Sequence, residues 1–189
     1  QNGLFGSREI KSTQMVAFKK WNGMLTRSKK DMPATVSKPT DTSQSVKCRS
    51  SNDITCRIAQ WQGALLFLKD KSPDKQIAEI NVLMNKSPYI TDIVNWGVPD
   101  YWETLRQFMG KNGDCEDYAI AKYMSLKELG FNVDQMRIVV VQDTSLDIPH
   151  AVLVVTYQDN RFVLDNQTSY VAREKAVLHY KPLYSINEN

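Results

Sequence analysis

Residues 113–130 read GDCEDYAIAKYMSLKELG, and the reading of this stretch organises the rest of the chain. From Cys115 to Leu129 the residues Ala119, Ile120, Tyr123, Met124 and Leu126 give a wide apolar face at helical spacing, and Gly130 is a good C-terminal stop. Asp114 is a natural N-cap, because its side-chain oxygen can accept from the free amides of the first turn. Asp117, three residues on, can reach back as in a capping box. Cys115 then becomes the first helical residue, at the positive end of the peptide dipoles, where the reactive thiolate form is favoured. Gly113 lets the chain turn sharply and leaves space for another backbone beside the cysteine.

Downstream of Gly130 the hydrophobic period changes to that of strands. Met136 to Gln142 and His150 to Tyr157 are apolar, β-branched runs, Asp159-Asn160 marks a turn, and Arg161 to Asp165 forms the return strand. A last extended segment is expected through Leu178 to Tyr184. Upstream the pattern is helical. Ile10, Met15, Phe18, Trp21 and Leu25 give Leu4 to Met24 a rough helical period. Asn52 or Asp53 caps a helix carrying Ile54, Ile58, Trp61, Leu65 and Leu68, and Pro73 opens another that Ser87-Pro88 ends. A short helical stretch runs from about Asp100 to Met109, and Thr26 to Lys47, polar and holding Pro33 and Pro39, reads as a surface loop. Helices first and strands second predict an α+β protein. The 189 residues are expected to form one domain, a helical lobe over about 1–130 and a sheet lobe over about 131–189, with the polar loop over about 26–47.

The hydrophobic content of 42% and charged content of 24% are those of an ordinary globular protein. A net charge of +3, with its basic residues spread out, does not suggest nucleic-acid binding. The nearest thing to a basic cluster (Lys19, Lys20, Arg27, Lys29, Lys30) reads as a solvated helix face. No stretch approaches the roughly 18 apolar residues of a membrane span, so direct membrane insertion is not expected. No basic-then-apolar leader stands at Gln1, which does not argue for the cytoplasm. Of the three cysteines, Cys48 and Cys56 suit either a disulfide of an exported protein or two small buried residues that never meet. Without a CxxC spacing, and with His150 and His179 the two histidines, the pattern does not point to structural zinc.

If Cys48 and Cys56 pair, Cys115 is the odd thiol left over, and a free thiol in an oxidising compartment needs a reason. A cysteine at a helix start is not by itself a site, and a small residue buried where helix meets sheet is the plainer reading. His150 and Asp165 change it. His150 heads the strand Ala151 to Val155, and Asp165 closes the run Phe162-Val163-Leu164. Together the three supply nucleophile, base and orienting carboxylate. Two difficulties accompany this reading. Asp114, Glu116 and Asp117 place three carboxylates around the cysteine, and negative charge disfavours a second anion unless a cation neutralises the cluster. A tight turn at Asp159-Asn160 also sets Asp165 opposite Val154, four residues or about 13 Å from His150, so the pair needs a shifted register, a bulge or strong twist.

These residues resemble a known family. Trp96-Gly97-Val98-Pro99-Asp100-Tyr101-Trp102, the stretch from Gly113 to Tyr123, His150-Ala151-Val152-Leu153 and Leu164-Asp165-Asn166 are similar, in order, to the motifs of the bacterial transglutaminase-like cysteine proteinases of the LapG type. The similarity covers roughly Ser87 to Asn166, whereas the first seventy residues match in helical character only. The resemblance implies a papain-like or transglutaminase-like fold, with a helical lobe facing an antiparallel sheet. It implies catalysis by Cys115, His150 and Asp165, and calcium at Asp114, Glu116 and Asp117. It implies a periplasmic proteinase that cuts the N-terminal region of a large calcium-binding surface adhesin, releasing it and dispersing biofilm. A regulator is implied as well, the periplasmic domain of an inner-membrane cyclic-di-GMP receptor. Two alternatives stay open: another thioester acyl transfer on the same fold (transglutaminase, amidase or acetyltransferase), or a non-catalytic calcium-binding module with an inert Cys115. Trp96 and Trp102 could offer an indole donor to an oxyanion, or simply pack.

Overall fold

Three helices of the N-terminal half begin at residues suited to begin them. The computed structural model describes residues 3–12, 16–35 and 47–189. Asp53 caps α2 (Ile54–Leu68) by accepting from the Cys56 amide at 3.1 Å, and Pro73 sits in the first turn of α3 (Pro73–Asn85), where its missing amide costs nothing. Thr104 and Gln107 close a capping box at the start of α5 (Leu105–Lys111), and Asp114 and Asp117 do the same for α6 (Cys115–Glu128). A short helix, α4 (Asp92–Trp96), lies between α3 and α5, and α1 (Val16–Asp31) precedes them.

α6 is the central element. Every residue from Asp117 to Leu126 is buried, because α3 and α5 pack on one side and the sheet on the other. The sheet has five antiparallel strands, β1 (Met136–Asp143), β2 (Ile148–Tyr157), β3 (Asn160–Leu164), β4 (Ala172–Arg173) and β5 (Tyr180–Ile186), in the order β4-β3-β2-β1-β5. Strand alternation divides its residues. Leu153, Val155 and Leu164 join the core with α6, and Val152, Val154 and Val163 form a second cluster with Leu4 and Tyr180. The α+β class, helices packed on an antiparallel sheet, is as expected.

The helical stretch expected from about Asp100 to Met109 forms only over Leu105–Lys111, because the Thr104–Gln107 capping box starts the helix there. Three more expectations need correction. Leu4 to Ser12 is not α-helical: Leu4–Gly6 is a single 3-10 turn whose Leu4 buries in the second cluster, while Ile10 is exposed. The helix begins instead at Val16, with Met15 outside the described residues. α1 then runs on through Thr26 to Asp31, which had read as loop, because Ser28 is buried and Asp31 accepts from the Thr104 hydroxyl at 2.7 Å. Most of the remaining polar stretch, residues 36–46 with Pro39, lies outside the described residues. The third correction is the turn between β2 and β3. Tyr157 pairs with Asn160, so Gln158 and Asp159 are the two central residues, and both take positive φ (48° and 61°), as a two-residue hairpin turn of this hand requires. The register therefore sets Asp165 in line with Val152, two strand residues from His150 rather than four.

Cys48 and Cys56 are joined in a disulfide, with their Cα atoms 5.7 Å apart, which ties the start of α2 to the segment before it. Cys115 is the free cysteine. Among the described residues, no helix is long and apolar enough to cross a membrane.

Candidate active site

Two strand residues span about 7 Å, a gap that two facing side chains can bridge. They do. His150 Nε2 lies 2.8 Å from Asp165 Oδ1, and both residues are buried. Asp165 is held from several directions: the Tyr180 hydroxyl donates to Oδ2 at 2.5 Å, the Gln167 amide donates to Oδ1 at 2.9 Å, and the Asn85 side chain from α3 donates to the main-chain carbonyl at 2.8 Å. Burial alone would raise the Asp165 carboxyl, but the hydrogen bond and charge of His150, with Tyr180 and Gln167, bring it below the ordinary range. With Nε2 committed to the carboxylate, Nδ1 is the ring nitrogen left to move a proton.

Cys115 is half-buried as the first residue of α6. Its sulfur lies beside the backbone amide of Ala151, the residue that follows His150, so the helix start and the head of β2 meet at the thiol. The thiol donates to Glu116 Oε2 at 3.2 Å. Burial, the Glu116 carboxylate and Asp114 all push the thiol well up from its usual range, and the Ala151 amide acts in the opposite direction. Without a neutralising charge this sulfur rests as a thiol, whatever the helix dipole contributes.

The acidic cluster is larger than the three residues adjacent to Cys115. Asp117 is buried, and its two oxygens accept from the Glu103 amide (2.8 Å) and the Asp114 amide (3.1 Å). Its first role is to fix the turn in front of Cys115. Asp114 Oδ2 accepts from the Asp92 amide at 3.3 Å, and Asp92 in turn accepts from the Tyr101 amide. Asp92, Asp100 and Glu116 converge so that one oxygen of each lies within 4.8 Å of the others, and so do Asp92, Asp114 and Asp117. Asp92 belongs to both groups. Burial first, and neighbouring carboxylates next, raise Asp92 to about 6, Glu103 to about 7 and Glu116 to about 9, and push Asp114 and Asp117 up as well.

This arrangement fits a hard divalent cation. The donors are all oxygen, as calcium prefers, and Asp92 Oδ1, Asp114 Oδ1 and Glu103 Oε2 are buried acceptors to which nothing among the described residues donates. Asp92, Asp100 and Glu103 escaped the sequence reading. They lie between Pro88 and Thr104 and meet the helix start through tertiary contacts: the Asp92 amide on Asp114, the Glu103 amide on Asp117, and the approach of Asp100 to Asp92 and Glu116. The indoles offer no oxyanion donor: Trp96 Nε1 donates to Glu103 at 2.6 Å and Trp102 Nε1 to Asp100 at 2.8 Å.

Gly113 is required by close approach. A Cβ there would stand 2.5 Å from Asp117 Oδ2 and 2.6 Å from Asp117 Cβ, and Asp117 cannot retreat without losing its two backbone donors. Gly113→Ala is expected to cost about 1–3 kcal/mol of stability, as overpacking does. It should also displace the turn that carries Cys115. Thermal unfolding together with iodoacetamide labelling of Cys115 would check both effects, and a variant matching the wild type in each would refute the crowding argument.

Three solved structures of LapG from Legionella pneumophila resemble the chain. The first two, one of them calcium-bound, share 32% identity with it at a TM-score of 0.66, covering 72% of this chain and 77% of theirs. An EGTA-treated form gives 0.65 at the same identity, covering 72% of this chain and 75% of its own. No curated protein sequence matches the chain significantly. Residues 35–182 match the family described as bacterial transglutaminase-like cysteine proteinase, BTLCP, and the chain belongs to that family.

Proposed function

We propose that this protein is a calcium-dependent periplasmic cysteine endopeptidase that cleaves the N-terminal region of a large surface adhesin, releasing it and dispersing biofilm. Cys115 is the nucleophile, His150 the base and Asp165 the residue that orients the imidazole. The observation that carries this reading is the buried His150–Asp165 pair at 2.8 Å, braced by Tyr180, with the Cys115 sulfur at the amide of the next residue, Ala151. The Cys48–Cys56 disulfide suits an oxidising compartment such as the periplasm. Regulation by the periplasmic domain of an inner-membrane cyclic-di-GMP receptor belongs to the same proposal.

The chemistry follows from the placement. His150 takes the thiol proton at Nδ1, and the sulfur lone pair attacks the scissile carbonyl carbon. The C–N bond then breaks, and the imidazolium gives its proton to the departing amine. A water, deprotonated by the same ring, adds to the thioester and restores the Cys115 thiol as the new carboxylate leaves. Asp165 stays ionised and stabilises the imidazolium. Asp114, Glu116 and Asp117, joined by Asp92 and Asp100, are the residues that would hold calcium, and Asp117 also braces the turn. Bound calcium would neutralise the carboxylates that oppose thiolate formation.

The test is mass spectrometry of N-terminal fragments of candidate adhesins after incubation with the protein in calcium, in the presence of a small primary amine. Two products whose masses sum to the substrate plus one water are expected. Conjugates carrying the amine would favour the transferase alternative, and an unaltered adhesin panel would overturn the substrate assignment.

A further inference from the structure

The 3-10 turn Leu4–Gly6 lies on the second apolar face of the sheet, where Leu4 is buried with Val139, Val152 and Tyr180. Phe5 is only half-buried, and it takes φ 50° and ψ 36°, left-handed backbone that a bulky side chain keeps only when it is held there. Charged side chains of the sheet hold it. The Phe5 amide donates to Glu174 Oε1, and Arg161 on β3 donates to the Gly3 carbonyl at 2.9 Å and to Glu174 Oε2 at 3.2 Å. The Leu4 amide donates to Glu9 Oε1 at 2.9 Å, and Glu9 is paired with Arg137 on β1 at 2.8 Å. Glu174 is itself buried, so the turn is fastened to the folded interior.

In that conformation the Phe5 ring stands edge-on to the ring of Tyr180, with centroids 6.2 Å apart and planes at 72°, an arrangement that aromatic pairs prefer. Tyr180 is the residue whose hydroxyl donates to Asp165 Oδ2 at 2.5 Å, and its ring also lies 5.7 Å from that of His150. Tyr180 opens β5, an outer strand of the sheet, where it pairs with Asp143 of β1. That pairing fixes its backbone and leaves its side-chain torsions to be set by what packs on the ring. A phenol reaches a fixed acceptor in a narrow range of ring positions, because a hydrogen bond weakens steeply with distance and angle. Leu4 already buries the turn, so the burial of apolar surface does not explain a left-handed Phe5 set edge-on to Tyr180.

We propose that Phe5 is a positioning residue for the reaction: the Leu4–Gly6 turn sets its ring against Tyr180, and Tyr180 so placed keeps the Asp165 carboxylate turned to His150. Phe5 touches neither substrate nor sulfur. It acts through Tyr180 and Asp165, so a segment remote in sequence from the base supports the base. The inference rests on the reading of His150 and Asp165 as the base and its orienter.

The test compares the wild type with Phe5→Leu, which keeps apolar bulk and removes the ring, Phe5→Tyr, which keeps the ring, Tyr180→Phe, which removes the hydroxyl, and the double variant Phe5→Leu with Tyr180→Phe. The first readout is the proton NMR signal of the His150 ring N–H that faces Asp165, recorded without substrate and assigned by its loss in His150→Ala. Tyr180→Phe should shift this signal and lower kcat on a cleaved substrate by about tenfold or more at unchanged KM, as the loss of a hydrogen bond to a charged group does. Phe5→Leu should unfold close to the wild type, because the position is only half-buried, yet shift the same signal. Its kcat should fall about threefold to tenfold, the range that an edge-to-face pair carries. Phe5→Tyr should keep both readouts near the wild type. The double variant should lose no more than Tyr180→Phe alone, because no hydroxyl is left to aim. An unchanged His150 signal in Phe5→Leu, a kcat within about twofold of the wild type, or losses that multiply in the double variant would overturn the proposal. Because the NMR signal needs no substrate, a failure of the adhesin assignment would show in the wild type and leave this readout standing. A wrong reading of the base would show instead as activity kept in His150→Ala.

Discussion

Cys115→Ala is expected to abolish cleavage, with a loss of at least about a thousandfold in kcat, while the fold is retained. The helix does not depend on the sulfur. Its start is secured by the Asp114–Asp117 capping box and by the Glu103 amide on Asp117, none of which involves the thiol. The reaction depends on it entirely, because no other free cysteine exists and no serine or threonine at this helix start could take its place. His150→Ala should be as inactive, since residues that act as one unit lose their effect together. Asp165→Asn should be impaired less severely, because an amide oxygen can still accept from the ring or from Tyr180, though not from both with full charge. Cleavage of an adhesin fragment, followed by mass spectrometry across this series, reads all three. Wild-type rates in Cys115→Ala would remove the nucleophile assignment.

The second large effect is that of calcium. Chelation with EGTA is expected to stop cleavage reversibly, and magnesium should restore it poorly, because its small octahedral shell does not suit a site of several carboxylates. The physical argument is that Asp92 converges with Asp100 and Glu116 and also with Asp114 and Asp117, and that buried oxygens of Asp92, Asp114 and Glu103 find no donor among the described residues. Asp114→Ala and Glu116→Ala should be inactive though folded, and the structure adds Asp92→Ala to that set. The cluster also fixes a pH dependence. The Glu116 carboxyl rises from 4.5 to about 9, with burial as its main cause and Asp114 next. Between those values the cation-free folded state holds a proton that the unfolded chain has released, so stability of the calcium-free protein should fall as pH rises through that window. Calcium binding at neutral pH should accordingly release protons, and the rise in unfolding temperature on adding calcium should grow from pH 6 to pH 8. Calorimetry in buffers of different ionisation enthalpy measures the proton release. No binding, together with undiminished cleavage in EGTA, would leave the acidic cluster as a helix cap.

What could be read in the chain beforehand was what is local. The α6 capping box, the placement of Cys115 at the helix start and the pairing partner available to Cys48 all follow from residues within a few positions of one another. His150 and Asp165 were legible as polar residues at the ends of apolar strands, but their contact was not, because it hangs on which two residues make the hairpin turn. Asp159-Asn160 has the better turn composition, yet Gln158 and Asp159 occupy the centre, and that choice moves Asp165 two positions toward His150. Asp92, Asp100 and Glu103 were out of reach for a different reason. They act through tertiary packing of an aperiodic segment, and no spacing in the sequence links them to Cys115.

The most direct test of the central claim is to label the calcium-loaded protein with iodoacetamide and follow both the modified residue and the remaining cleavage. The disulfide protects Cys48 and Cys56, so one equivalent of label should enter at Cys115. Activity should fall in proportion to that label, and labelling should slow markedly in His150→Ala, where no imidazole accepts the thiol proton. Full cleavage by protein whose Cys115 is quantitatively alkylated would contradict the account.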